Sequence, residues 1–179
     1  MIKSREKVIS MLKKKLCKAG EGYELYEYKP TIRHPFLYNY ERLTLQRRVR
    51  FLFEFFKGYR VYYLVIQGEV VAYSVVSKGG GRYQFARKND IVVGPYFVLE
   101  NHRGKRYSET LVRLILHLDT MRWEDAYEWI RYDNIPSIRC AERVGFIKIE
   151  SMDMIGLFRK LHVCKNHVGD YWLFKYRKK

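Results

Sequence analysis

The order of elements between Asp90 and Phe146 constrains this chain most. Residues 90–99 are almost uninterruptedly apolar and read as a buried strand. A loop with Arg103, Gly104, Lys105 and Arg106 follows, and helical spacing then runs over residues 107–121. A short strand over 127–132 comes next, then a helix over 136–144 that Gly145 stops. A strand–loop–helix followed by a strand–helix predicts a mixed α/β domain.

The flanking segments agree with that class. Residues 4–19, with Ser4 as cap, Val8, Ile9, Leu12 and Leu16 at helical spacing and Gly20 as stop, predict a helix. Residues 23–29 alternate as a strand does, up to Pro30. Residues 39–57 predict a helix whose apolar face is Leu43, Leu45, Val49, Leu52, Phe53 and Phe56, with the nearby arginines solvated. Strands over 61–66 and 70–76 flank the hairpin turn Gln67-Gly68-Glu69. Gly79-Gly80-Gly81 interrupts the chain, and residues 146–158 and 171–176 read as closing strands. Residues 1–21 are thus expected to be a basic helical extension, and 22–179 a single domain.

Charge narrows the function classes. The 179 residues carry a net charge of +16, but residues 1–20 and 159–179 hold +6 each, leaving +4 for the rest. The excess sits at the ends, away from the central motifs, and no RNA-binding motif is present, so no specific nucleic-acid partner is expected. Cys17, Cys140 and Cys164 are odd in number and widely spaced, which argues for a reducing compartment rather than a disulfide framework. The lysine-rich start has no apolar signal region, and no run approaches the length of a membrane span. A cytoplasmic protein is expected. His162-x-Cys164-x-x-His167 offers three ligand-type side chains, but closed sites need a fuller set, so it reads as an incidental cluster and no metal is expected.

The basic loop carries the chemistry. A strand, a loop with glycine and a helix N-terminus form an anion site, because the first N–H groups of a helix lack internal partners and its dipole adds positive charge. Arg103, Lys105 and Arg106 reinforce that field. This pattern resembles the GCN5-related N-acetyltransferase (GNAT) superfamily. Its first motif has a strand ending in V-x-P and then [Q/R]-x-x-G-x-[G/A]; here stand Val98-Leu99-Glu100 and Arg103-Gly104-Lys105-Arg106-Tyr107-Ser108. The second motif appears as Asn134, Ser137 and Gly145-Phe146. The departures are Glu100 for the proline, Arg106 for the first glycine, Ser108 for the small residue, and Ala141 where a tyrosine often acts as general acid.

The resemblance implies a GNAT fold: a central, mixed, mostly antiparallel sheet of six to seven strands flanked by helices. It implies an acyltransferase that uses acetyl-CoA as co-substrate. Val98 and Leu99 would pair with the pantetheine like an added strand. Arg103, Gly104, Lys105, Arg106, Tyr107 and Ser108 would cradle the pyrophosphate, with Arg106 already helical and its N–H aimed at phosphate. Asn134, Ser137 and Arg143 complete the expected cofactor set. The oxyanion donor maps to the Leu99 backbone N–H. The acceptor amine must lose a proton, with Asp90, Glu100 and His102 as candidate bases; Tyr132, Cys140 and Ser137 are candidate acids for the thiolate. The expected acceptor is a primary amine of a small molecule, such as an amino sugar or nucleotide-linked amino sugar, because the tyrosine-rich residues 23–40 suit stacking on a ring. A protein or peptide N-terminus, or a CoA-binding module without turnover, are the alternatives. Family members are often dimers, so a homodimer is compatible with the resemblance.

Overall fold

The computed structural model describes residues 14–19, 22–32, 35, 44–118, 122–155, 160–164 and 167–178. The chain forms two compact units. Residues 1–77 and 95–118 belong to the first, residues 78–94 and 119–179 to the second.

The first unit contains an antiparallel run of strands: β1 (Lys14–Ala19), β2 (Tyr23–Tyr28), β3 (Arg60–Ile66) and β4 (Glu69–Lys78, whose last residue lies in the second unit). The β3–β4 hairpin closes through Gln67 and Gly68, both with positive φ, as the right-handed strand twist favours. Val61 through Val65 are all fully buried, so β3 is covered on both faces. Helix α1 (Leu45–Lys57) ends where the Gly58 N–H bonds back to Glu54 and Phe55 carbonyls. Helix α2 (Tyr107–Leu118) packs on β3 through a face of Leu111, Val112, Ile115 and Leu116. Glu27 is buried, and the Arg60 guanidinium neutralises it at 3.0 Å.

The second unit carries the start of β5 (Ile91–Val98), then β6 (Asp125–Arg131), helix α3 (Ile135–Val144), β7 (Ile147–Ile155), β8 (Lys160–Val163) and β9 (Tyr171–Arg177). β6 pairs antiparallel with β9, β9 with β7, and β7 with β8. β5 and β6 run parallel but pair only at Ile91↔Ala126 and Val92↔Tyr127. Gly94 then takes φ +111°, and Pro95 has no N–H to offer a ladder. The ladder therefore ends after these two positions.

Three expectations need correction. Residues 14–19 are a strand, not the end of a helix; pairing with the outer edge of β2 overrides the local spacing, and lysines suit an edge position. Residues 1–13 lie outside the described set. Among the described residues nine strands are present rather than six or seven, because β1 and β8 add to those expected. The predicted apolar face of α1 points outward: Leu45, Val49, Leu52, Phe53 and Phe56 are exposed, whereas Phe51 and Glu54 are buried. The inward stripe is the one that follows Phe51, which packs with Tyr59, Val61 and Tyr63. Residues 39–43 and 119–121, at the ends of predicted helices, lie outside the described set.

Candidate active site

The first unit holds the loop the motif pointed to. After β5 the chain makes one 3-10 turn, Glu100–His102, with His102 N–H on the Leu99 carbonyl and Arg103 N–H on the Glu100 carbonyl. Gly104 and Arg106 then both adopt left-handed backbone, at φ +81° and +57°. No atom lies within 4 Å of where a Gly104 Cβ would sit, so backbone conformation, not crowding, calls for glycine there. The α2 ladder starts with Thr110 N–H on the Arg106 carbonyl at 3.1 Å. The N–H groups of Tyr107, Ser108 and Glu109 precede it and find no acceptor among the described residues. Arg106 has no side-chain acceptor with which to cap the helix. Such a turn ahead of a helix gathers donors into an anion-binding concavity.

Arg106 is thus not helical, contrary to expectation. A residue with a Cβ occupies the left-handed position that the family fills with glycine, at a cost of about 1 kcal/mol. Lys105 and Arg106 are exposed beside the free N–H groups. Arg103 folds back instead: its Nε reaches the Val98 carbonyl at 3.4 Å, its guanidinium lies over Phe97, and Glu100 sits 3.9 Å away. His102 Nε2 faces Glu69 at 3.5 Å.

Two expected catalytic groups are committed elsewhere. The Leu99 N–H donates to the Val71 carbonyl at 3.0 Å, so it is no free oxyanion donor. Asp90 is 1 % exposed; its carboxylate accepts the Arg87 N–H at 2.7 Å and the Asp125 N–H at 3.2 Å. It holds its loop against the start of β6 and is not a base. Cys140 is buried on the inner face of α3 beside Ala141 and Val144, away from any solvent-facing role as an acid. Glu100 and Tyr132 remain at the surface.

The second motif lies in the second unit, on α3. Asn134 is the N-cap: its Oδ1 accepts the Ser137 N–H at 3.4 Å, and Pro136 occupies the first turn. Gly145, left-handed, closes the helix with bonds to Ala141 and Glu142 carbonyls. Arg131 and Asp133 form a two-pronged pair just before it, at 2.7 and 3.0 Å, which holds the Asp133 carboxyl below its ordinary range. Arg143 is exposed on α3.

Sequence reasoning missed two groupings in this unit. Asp153 on β7 joins Cys164 and His167, whose ligand-type atoms lie within 4.8 Å of one another. Its carboxylate is already occupied, by the Asp170 N–H at 2.9 Å and His167 Nε2 at 2.6 Å. These bonds, the Asp170 N–H first, hold its carboxyl below the ordinary value, while burial raises the Cys164 thiol. The sequence showed the Cys and His but not the aspartate that gathers them. The second grouping is Arg82 among the aromatic rings of Tyr83 and Trp129. Neither was legible, because each joins a strand residue to loop residues distant in sequence.

Among the described residues no helix is long and apolar enough to cross a membrane. The solved structures that resemble this one share its fold. The microcin C7 self-immunity acetyltransferase MccE, solved with acetyl-CoA and AMP, is 12 % identical over 94 % of this chain and 99 % of its own, with a TM-score of 0.57. The GNAT domain of S. lividans PAT is 14 % identical over 87 % and 91 %, also at 0.57. Ribosomal-protein-alanine N-acetyltransferase from Brucella melitensis is 20 % identical over 76 % and 80 %, at 0.53. No curated protein sequence matches the chain significantly. The family model of the acetyltransferase (GNAT) family matches residues 25–146, most of the chain and both motif segments. Loop, short parallel ladder and capped second-motif helix are thus carried by a chain that belongs to the GNAT family of acetyltransferases.

Proposed function

We propose that this acyltransferase moves an acetyl group from acetyl-CoA to a primary amine of a small molecule. The observation that supports it is the loop ahead of α2, where two left-handed residues and three N–H groups without acceptors suit a pyrophosphate. Lys105 and Arg106 add charge beside those donors, and Val98 offers strand backbone to the pantetheine. The cofactor supplies an activated thioester. The chain's own part is to bind it by the phosphates and hold the amine in reach, which converts a bimolecular encounter into a local one.

An alkylamine is protonated at neutral pH, with a pKa of roughly 10, so it must shed a proton before attack. Glu100, exposed in the unit that holds the loop, exchanges protons with solvent and is the group assigned as base. The amino-sugar reading gains no support from the described tyrosines, because Tyr26 is buried, Tyr28 packs on Tyr63 and Tyr23 on Tyr107, while Tyr38 and Tyr40 lie outside the described residues. The acceptor is therefore proposed only as a small primary amine, with a protein N-terminus as the rival.

The test is thiol release from acetyl-CoA across a panel of small amines and N-terminal peptides. Amine-dependent release with small molecules supports the reading. Release with peptides alone overturns the acceptor class, and stabilisation by CoA with no release under any amine overturns catalysis in favour of a binding module.

A further inference from the structure

We infer that Arg82 anchors a carboxylate-binding site in the second unit, taking a small molecule whose carboxylate is joined to an apolar or aromatic body. Arg82 follows the three glycines after β4, in a chain otherwise rich in surface arginine. It is only 8 % exposed. Its Nε and Nη2 are buried and have no hydrogen-bond partner among the described residues. An arginine does not escape burial by losing its proton, and a buried charge without a partner is costly.

The surroundings define the missing partner. The guanidinium carbon lies 5.3 Å from the Tyr83 ring centroid and 5.7 Å from that of Trp129. Rings attract a cation but leave its in-plane N–H groups unsatisfied. Nε and Nη2 form one edge of the fork, the edge that matches the two oxygens of a carboxylate. The rings beside it are apolar: Trp129 meets Tyr171 edge-on at 5.1 Å, and Phe85 meets Tyr83 and Tyr127. Trp129 and Tyr171 are only partly buried, so this cluster reaches the surface beside the guanidinium. Glu128 is no answer to the charge: it neighbours Trp129 on β6 and so points to the opposite face of the strand.

As the place where an acceptor amine binds by its carboxylate, this site rests on the transferase reading above; as an anion site it stands alone. The test therefore reads binding, not turnover. The full chain is titrated calorimetrically with benzoate, benzamide and phenyl phosphate, and its Tm is followed with each. Benzoate is expected to bind and raise the Tm, benzamide to do neither, and phenyl phosphate to bind more weakly than benzoate. Arg82→Met is expected to weaken benzoate at least about tenfold, since a charge-assisted fork is lost. The same variant keeps or raises the unliganded Tm, because it removes an unpaired buried charge. Arg82→Lys is expected to retain charge but lose the fork, with intermediate affinity.

Equal binding of benzoate and benzamide overturns the inference, as does benzoate binding that both variants leave intact. Tighter phenyl phosphate overturns the carboxylate assignment. A large fall in unliganded Tm in both variants overturns it too, because the guanidinium is then structural. No binding of benzoate by a chain that still releases thiol from acetyl-CoA overturns this site while leaving the transferase reading standing.

Discussion

The two motif helices begin in opposite ways. Helix α3 is closed at both ends by its own residues: Asn134 caps the first turn through the Ser137 N–H, and Gly145 caps the last. Helix α2 begins after a left-handed arginine that has nothing to cap with, and its first three N–H groups go unanswered. A protein that caps one helix so thoroughly has the means to cap the other. The difference teaches that the open end is reserved for something outside the chain, and an oxyanion is what helix donors accept.

Changes to the open end are expected to act on the cofactor, and changes to the closed end on stability. The largest effect belongs to Gly104→Asp, which puts a strained backbone and a negative charge into the loop. It is expected to raise the KM for acetyl-CoA by about tenfold or more, with the far-ultraviolet spectrum unchanged; an unchanged KM would break the comparison. Asn134→Ala removes a cap and is expected to cost about 1 kcal/mol in a denaturant melt. Asn134→Asp keeps the acceptor and should restore that stability.

Arg106→Gly sharpens the contrast from the other side. Relief of the left-handed strain outweighs the greater freedom of the unfolded glycine, so the variant is expected to be more stable by about 0.5 kcal/mol. A loss of stability would mean that the Arg106 side chain holds the loop. The smallest effect concerns Asp153, whose needs are met within the protein. Its folded pKa lies below the unfolded one, so its contribution is present above about pH 4 and is lost as pH falls through that region. The Tm gap between wild type and Asp153→Asn is expected to be open at neutral pH and to close below about pH 4.

Local spacing revealed much of this. The α2 and α3 segments, the β3–β4 hairpin and β5 stand where periodicity and turn residues put them, because each signal is contained within a few residues. The loop at Arg103–Ser108 was legible for the same reason. Partnerships were not. Asp90 reads as a free carboxylate in sequence, and only the fold shows the Arg87 and Asp125 N–H groups on it. The Leu99 N–H lies just past the end of β5, and the fold decided that the Val71 carbonyl takes it. β1 was misread because an edge to pair with is a property of β2, not of residues 14–19. Gly94-Pro95 was visible all along; it marks where the β5–β6 ladder stops, which a strand-plus-breaker reading would have found.

The central claim is that the first turn of α2 holds the cofactor's phosphates. Amide chemical shifts of the full chain, recorded with CoA and with pantetheine, test it most directly. CoA is expected to move the Tyr107, Ser108 and Glu109 amide signals downfield, and pantetheine, which lacks the pyrophosphate, to leave them in place. Unmoved signals under CoA, or equal movement under both ligands, would contradict it.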